Sequence, residues 1–262
     1  MSVVHTETSG GVCTVTLADE ENRNALSATL MAELMDALDQ AEADESVRVI
    51  VLTNAGRVFC AGANLSERSG RTDAAEPTRR VDPIDLFSRF QKSSKPYVGR
   101  IAGHCVAGGM GLAAAMDISI AVDTAKMGFT EVRIGVAPAM ISVLCLPKMA
   151  AADARAAFLR GNRMLAPEVA RIGLINAAVP EDQLDAEVNS VVQDLLAGSP
   201  AGIAAAKQLL ARVPEMSTAD AFEWTAEFSA SLFGTDEARE GMTAFLEKRP
   251  ANWIPNELDG EV

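Results

Sequence analysis

The stretch from Tyr97 to Val122 constrains the fold of this chain more than any other. It reads as strand, turn, helix, strand. Tyr97 to Ile101, entered through Pro96, and Ile118 to Val122 are short β-prone runs. Between them the small-residue turn Ala107-Gly108-Gly109 opens directly into an apolar helix start. Strands joined through a helix pair in parallel, and such sheets are covered on both faces. The same grammar recurs upstream. Val12 to Leu17 alternates and is β-branched, and Val47 to Thr53 reads as a buried strand. Leu26 to Glu42 carries Leu30, Met31, Leu34 and Leu38 at helical spacing, with Ser27 as its N-cap. The pattern predicts an α/β core.

After about Ala150 strand signals thin out. Helices are expected over Ala151–Arg160, Pro167–Ile172, Glu181–Leu196, Ala201–Val213 and Thr218–Phe233, with one short strand within Leu174–Val179. Ser69 to Pro83 is polar, charged and Pro-containing, and reads as a long mobile loop or lid beside a site. The 262 residues suffice for one large domain, or one domain with an appendage.

Acidic residues outnumber basic ones 36 to 23, for a net charge of −13. Nucleic acid and anionic membranes demand a basic surface, so neither is expected as a partner. A small anionic ligand held by local Arg, Lys or backbone N–H groups stays open. No apolar run approaches the roughly 20 residues that span a bilayer, and no secretory signal is visible at the N-terminus. Cys13, Cys60, Cys105 and Cys145 are widely spaced, as expected of reduced core thiols in a cytoplasmic protein. The two histidines supply a triad or a metal site poorly: His5 falls in an expected frayed terminus, and His104 stands alone.

Chemistry is therefore sought in two Gly-containing turns that follow strands: Phe59 to Leu65 and Gly103 to Gly109. Small residues let backbone approach a ligand, and a turn at a helix N-terminus leaves N–H groups unpaired. Two such groups from neighbouring strands could converge on a developing oxyanion. The spacing Gly103-x4-Gly108-Gly109-x-Gly111 is not that of a dinucleotide fingerprint. Walker, HExxH, EF-hand and GxSxG patterns are absent. Glu131, twenty-odd residues beyond the second turn, is the candidate general acid/base. Asp117 and Asp123 read as acids that tie turns. Asp85 and Glu67 could reach the site from the lid side without specific support.

Taken in order, several segments resemble the crotonase (enoyl-CoA hydratase/isomerase) superfamily. They are Asn22-Arg23-Asn24-Ala25-Leu26-Ser27, the strand and turn VIVLTNAGRVFCAGANLSER, the segment from Lys95 to Pro138, and the C-terminal EGMTAFLEKRPANW. The resemblance covers nearly the whole chain. It implies a spiral of ββα units over residues 1–195, then a helical region over 196–262 that serves oligomerisation and closes the site. It also implies a homotrimer or homohexamer acting on an acyl-CoA thioester, with coenzyme A as part of the substrate and no separate cofactor or metal. Residue by residue, the thioester carbonyl would be held by the N–H groups of Ala63 and Gly108. Ala25, Ala61, Ala63, Asn64 and Leu65 would line the coenzyme A site, and Phe245 and Lys248 would close over it. Gly111, Ala139, Met140 and Ile141 would border the acyl pocket.

One departure limits the chemistry. Hydratases of this family use two glutamates about a water; Glu131 matches the second, and Gly111 stands at the first. The Pro138–Leu146 loop also departs from the family pattern, and Met140 and Ile141 suggest a more filled pocket. The first expectation is an enoyl-CoA hydratase with Glu131 as its single acid/base. Next stands a Δ3–Δ2 enoyl-CoA isomerase, which needs one proton carrier. A third expectation is an acyl-CoA-binding homologue without catalysis.

Overall fold

The computed structural model describes residues 2–70 and 79–255. Two sheets organise the chain. The first holds β1 (Val4–Ser9), β2 (Val12–Leu17), β3 (Val49–Asn54), β5 (Tyr97–Ile101), β7 (Ile118–Val122) and β10 (Ala177–Val179), side by side in that order. β1 pairs antiparallel with β2, and every later neighbour is parallel. β3 is buried along its whole length, as a central parallel strand must be. The second sheet holds β4 (Val58–Cys60), β6 (His104–Val106), β8 (Lys126–Gly128) and β9 (Met164–Leu165). Each of three consecutive turns thus lays one strand in each sheet: β3 then β4, β5 then β6, β7 then β8.

The helix α1 (Ala28–Ala43) begins as its sequence requires, with the Ser27 hydroxyl accepting the Leu30 N–H at 3.1 Å. Its Leu30, Leu34 and Leu38 are fully buried against the first sheet, worth about 2 kcal/mol each by burial. A short α2 (Leu65–Arg68) follows β4. α3 (Pro83–Lys92) buries Leu86, Phe87 and Phe90. α4 (Gly108–Ala115) runs through the core between β6 and β7, and α5 (Ala139–Cys145) packs on it. α6 (Ala151–Arg160) and α7 (Ala166–Arg171) precede β10. α8 (Leu184–Ala197) covers the first sheet.

The C-terminal helices α9 (Pro200–Arg212), α10 (Thr218–Phe233) and α11 (Asp236–Glu247) are held differently. α9 is pinned by one buried cation. Lys207 Nζ donates to Phe90 O at 2.9 Å and pairs with Asp117, which also accepts the Tyr97 N–H at 2.7 Å. α10 has no buried residue, and Phe222, Phe233, Phe245 and Leu246 are 66–83% exposed along α10 and α11.

One expectation needs correction. His5 is not frayed: it sits in β1 opposite Thr16. Residues 71–78 of the expected lid lie outside the described residues, while its end is a helix start, Asp82 capping the Ile84 N–H at 2.8 Å ahead of Pro83. The four two- or three-residue strands of the second sheet carried no sequence signal. The cysteines are all free and buried, and burial pushes the Cys60 thiol up to about 12. Among the described residues no helix is long and apolar enough to cross a membrane.

Candidate active site

The two Gly-containing turns leave the ends of β4 and β6, which are adjacent parallel strands with Cys60 opposite Cys105. The first turn is braced by the Asn22–Leu26 segment. Asn24 is fully buried in the left-handed region at φ 50°. Its side chain accepts the Asp19 N–H at 2.8 Å and donates to Val58 O at 2.7 Å. Two backbone bonds complete the brace, Leu26 N–H to Gly62 O at 2.7 Å and Ala61 N–H to Arg23 O at 3.2 Å.

Gly62 itself stands at φ +83°, and a Cβ there would lie 2.6 Å from Ala107 Cβ and 2.9 Å from Gly108 N. The peptides of Gly62–Ala63 and Ala107–Gly108 are therefore in direct contact. Ala107 holds φ 52°, ψ −124°, strained for an L-residue. That ψ swings the 107–108 peptide out of helical alignment just before α4. The Ala107 N–H is anchored to Gly128 O at 3.0 Å. Neither the Ala63 nor the Gly108 N–H donates to another group among the described residues. A pair of free, rigid N–H donors at a helix start can receive a developing oxyanion.

Both donors border a cavity of about 1040 Å3, at the upper end of small-ligand sites of about 300–1,000 Å3. Glu131 opens the 3-10 turn Glu131–Ile134 after β8 and lines the same cavity. Its Oε2 is buried, and among the described residues it is the one buried side-chain oxygen without a hydrogen-bond partner. Burial raises its pKa above the ordinary glutamate value, the direction that strengthens a general base.

The cavity brings together Ala61, Ala63, Leu65, Gly108, Glu131, Ala139, Met140 and Ile141. The other expected residues lie elsewhere. Ala25 is buried in the brace and does not reach the cavity. Asn64 caps α2, its Oδ1 accepting the Ser66 and Glu67 N–H groups at 3.0 and 3.3 Å. Phe245 is 83% exposed and Lys248 closes α11 in a left-handed turn; neither lines the cavity of its own chain. Glu67 accepts the Ala28 N–H at 3.1 Å, tying α2 to α1.

Gly111 is packed over by its neighbours. It is buried and does not line the cavity. A Cβ on it would overlap the Ile141 side chain, at 2.9 Å from Ile141 Cβ and 3.0 Å from Phe87 Cε1. The position is filled by neighbours.

Leu26, Met31, Phe87, Thr130, Asn162 and Arg163 also line the cavity and were not read from the sequence. Phe87 had a signal, the Leu86, Phe87, Phe90 spacing after an Asp-Pro start; Asn162 and Arg163 had none. Among the described residues no group of three or more His, Cys, Asp or Glu side chains could hold a metal ion.

Comparison with known proteins adds a second line of argument. The pattern of the family described as Enoyl-CoA hydratase/isomerase matches residues 7–256. A Thermus thermophilus protein named "Putative enoyl-CoA hydratase" is 36% identical over 244 residues, 92% of this chain and 96% of that one. A Rhizobium meliloti "Probable enoyl-CoA hydratase" is 33% identical over 248 residues, 94% and 96% of the two chains. The crystal structure of an enoyl-CoA hydratase from Mycobacterium smegmatis superposes with TM-score 0.86 at 27% identity, covering 96% of this chain and 98% of that one. An enoyl-CoA hydratase/isomerase from Marinobacter aquaeolei gives TM-score 0.85 at 30% identity, covering 97% and 100%. With its two-sheet fold and this match over nearly its whole length, the chain belongs to the enoyl-CoA hydratase/isomerase family of enzymes, the crotonase superfamily.

Proposed function

We propose that the protein is an enoyl-CoA isomerase that moves a double bond between the 3 and 2 positions of an acyl-CoA thioester. The observation that carries this reading is the pairing of one half-buried carboxyl, Glu131, whose buried Oε2 has no partner among the described residues, with a filled Gly111 position. One proton carrier suffices for the reaction. The thioester oxygen accepts the Ala63 and Gly108 N–H groups, which acidifies C2. Ionised Glu131 removes a C2 proton, and the electrons pass into a dienolate whose oxygen charge the two donors stabilise. Protonated Glu131 returns the proton to C4, leaving the conjugated 2-enoyl thioester. Each donor is worth about 3–4 kcal/mol in such a role, and the acid/base about 10²–10⁴-fold in rate.

Incubation with a 3-enoyl-CoA tests the reading through growth of the conjugated-thioester absorbance. Absence of that growth, with crotonyl-CoA hydrated instead, refutes it. Hydration by Glu131 alone is the second reading, favoured by the hydratase names of the relatives.

The exposed apolar side chains of α10 and α11 support assembly with further copies of the chain. A homotrimer or homohexamer would cover Phe222, Phe233 and Leu246. It would also allow Phe245 and Lys248 to serve a neighbour's site. Light scattering that reports a monomer at micromolar concentration refutes this assembly.

A further inference from the structure

Ile141 is buried, lines the same cavity as Glu131, and fills the space over Gly111. Phe87 meets the same spot from α3 and is equally buried. Neither side chain offers a hydrogen bond. A held water requires two to four polar partners. Phe87 cannot easily swing aside, because ion pairs lock α3 to α1: Arg89 Nη2 lies 2.9 Å from Glu42 Oε2 and 2.8 Å from Asp39 Oδ1. Ile141 is fixed in turn by the packing of α5 on α4, with Cys145 buried at the far end of the same helix. Ile141 and Phe87 share the cavity lining with Glu131, whose acidity is governed mainly by burial.

We propose that Ile141, backed by Phe87, determines the reaction: it denies water a place in the wall around Glu131, so that the proton passes between substrate carbons. The inference rests on the isomerase reading and deepens it. In the competing reaction, water would add its hydroxyl to C3 of a 2-enoyl-CoA, and Glu131 would deliver the remaining proton to C2. A shorter, polar side chain at 141 supplies both the space and a partner for that water.

The test compares wild type, Ile141→Ser and Ile141→Val on a 3-enoyl-CoA and on crotonyl-CoA. Thermal unfolding reports the integrity of each variant. Ile141→Ser is expected to raise the ratio of hydration to isomerisation at least tenfold, and Ile141→Val to leave it within about twofold. If Ile141→Ser does not fold, Ile141→Thr makes the same comparison at nearly native volume. A wild type that isomerises, with a ratio unmoved in the folded polar variant, overturns the role of Ile141 alone. A wild type that hydrates without isomerising overturns the isomerase reading, and with it the claim that Ile141 keeps water out.

Discussion

Gly62→Ala is the sharpest test of the two-donor geometry. At φ +83° an alanine costs about 1–2 kcal/mol of backbone strain. Its Cβ would stand 2.6 Å from Ala107 Cβ and 2.9 Å from Gly108 N. Carbon contacts relax near 3.5–4 Å, so the two turns must part by about 1 Å. Both obstacles are main chain or its first side-chain atom, so no rotamer change relieves the clash. A donor displaced that far is largely lost to the oxyanion, about 3–4 kcal/mol of transition-state stabilisation. The expected result is a fall in kcat/KM of about 10²–10³-fold, with a stability loss of about 1–3 kcal/mol. Gly10→Ala is the control. Gly10 has φ +55°, nothing within 4 Å of its built Cβ, and a place in the β1–β2 turn. It should lose about 1 kcal/mol of stability and no activity. The assay is initial rate on a 3-enoyl-CoA, with calorimetric titration of a saturated acyl-CoA and thermal unfolding beside it. Wild-type kcat/KM in Gly62→Ala, or equal activity losses in both variants, would refute the reasoning.

Glu131→Gln should reduce turnover by about 10²–10⁴-fold while acyl-CoA affinity measured by titration stays unchanged. Because burial raises its pKa, the acid limb of kcat/KM against pH should be displaced upward from that of an ordinary glutamate. Glu131 stabilises the fold while protonated, and that contribution is lost as pH rises through its folded pKa. Urea unfolding should therefore find Glu131→Gln more stable than wild type at pH 7, with the gap closing toward pH 4. Asn24→Ala strands the Asp19 N–H and Val58 O and should cost about 2–4 kcal/mol in the same assay. Lys207→Met breaks the pair with Asp117 and should cost about 3 kcal/mol; wild-type stability would show that α9 is held by packing alone.

Four strands of the first sheet were legible because they are runs of five or six residues long enough to show a pattern, as in Val12–Leu17 and Ile118–Val122; β1 was missed as a frayed terminus. The second sheet was not. Val58–Cys60 and Lys126–Gly128 are three residues each, too short for periodicity, and their pairing is decided by which loops the first sheet brings together. The two Gly-containing turns were marked by their small residues, while the roles given to Ala63, Gly108, Glu131 and the Ala139–Ile141 border came from the family resemblance. At Gly111 the sequence reported the absence of the family's glutamate, and Met140 and Ile141 suggested a more filled pocket. What grows into the space is settled by packing, here by Ile141, thirty residues away in the chain. Ala25 and Asn64 lie off the cavity lining, in a backbone brace and a helix cap, which use the same small and polar residues that line a ligand channel.

The ladder between β4 and β6 has a consequence for how such an enzyme can be remade. Hydrogen-bonded strands lie about 4.8 Å apart, and both N–H donors leave this one pair of strands. Their spacing is therefore a property of sheet geometry, indifferent to most side chains placed around it. Glu131, Ile141 and Phe87 come from three other elements. In the proposed reading the thioester grip and the choice of reaction are separate modules, so redesign can rewrite the second while inheriting the first intact.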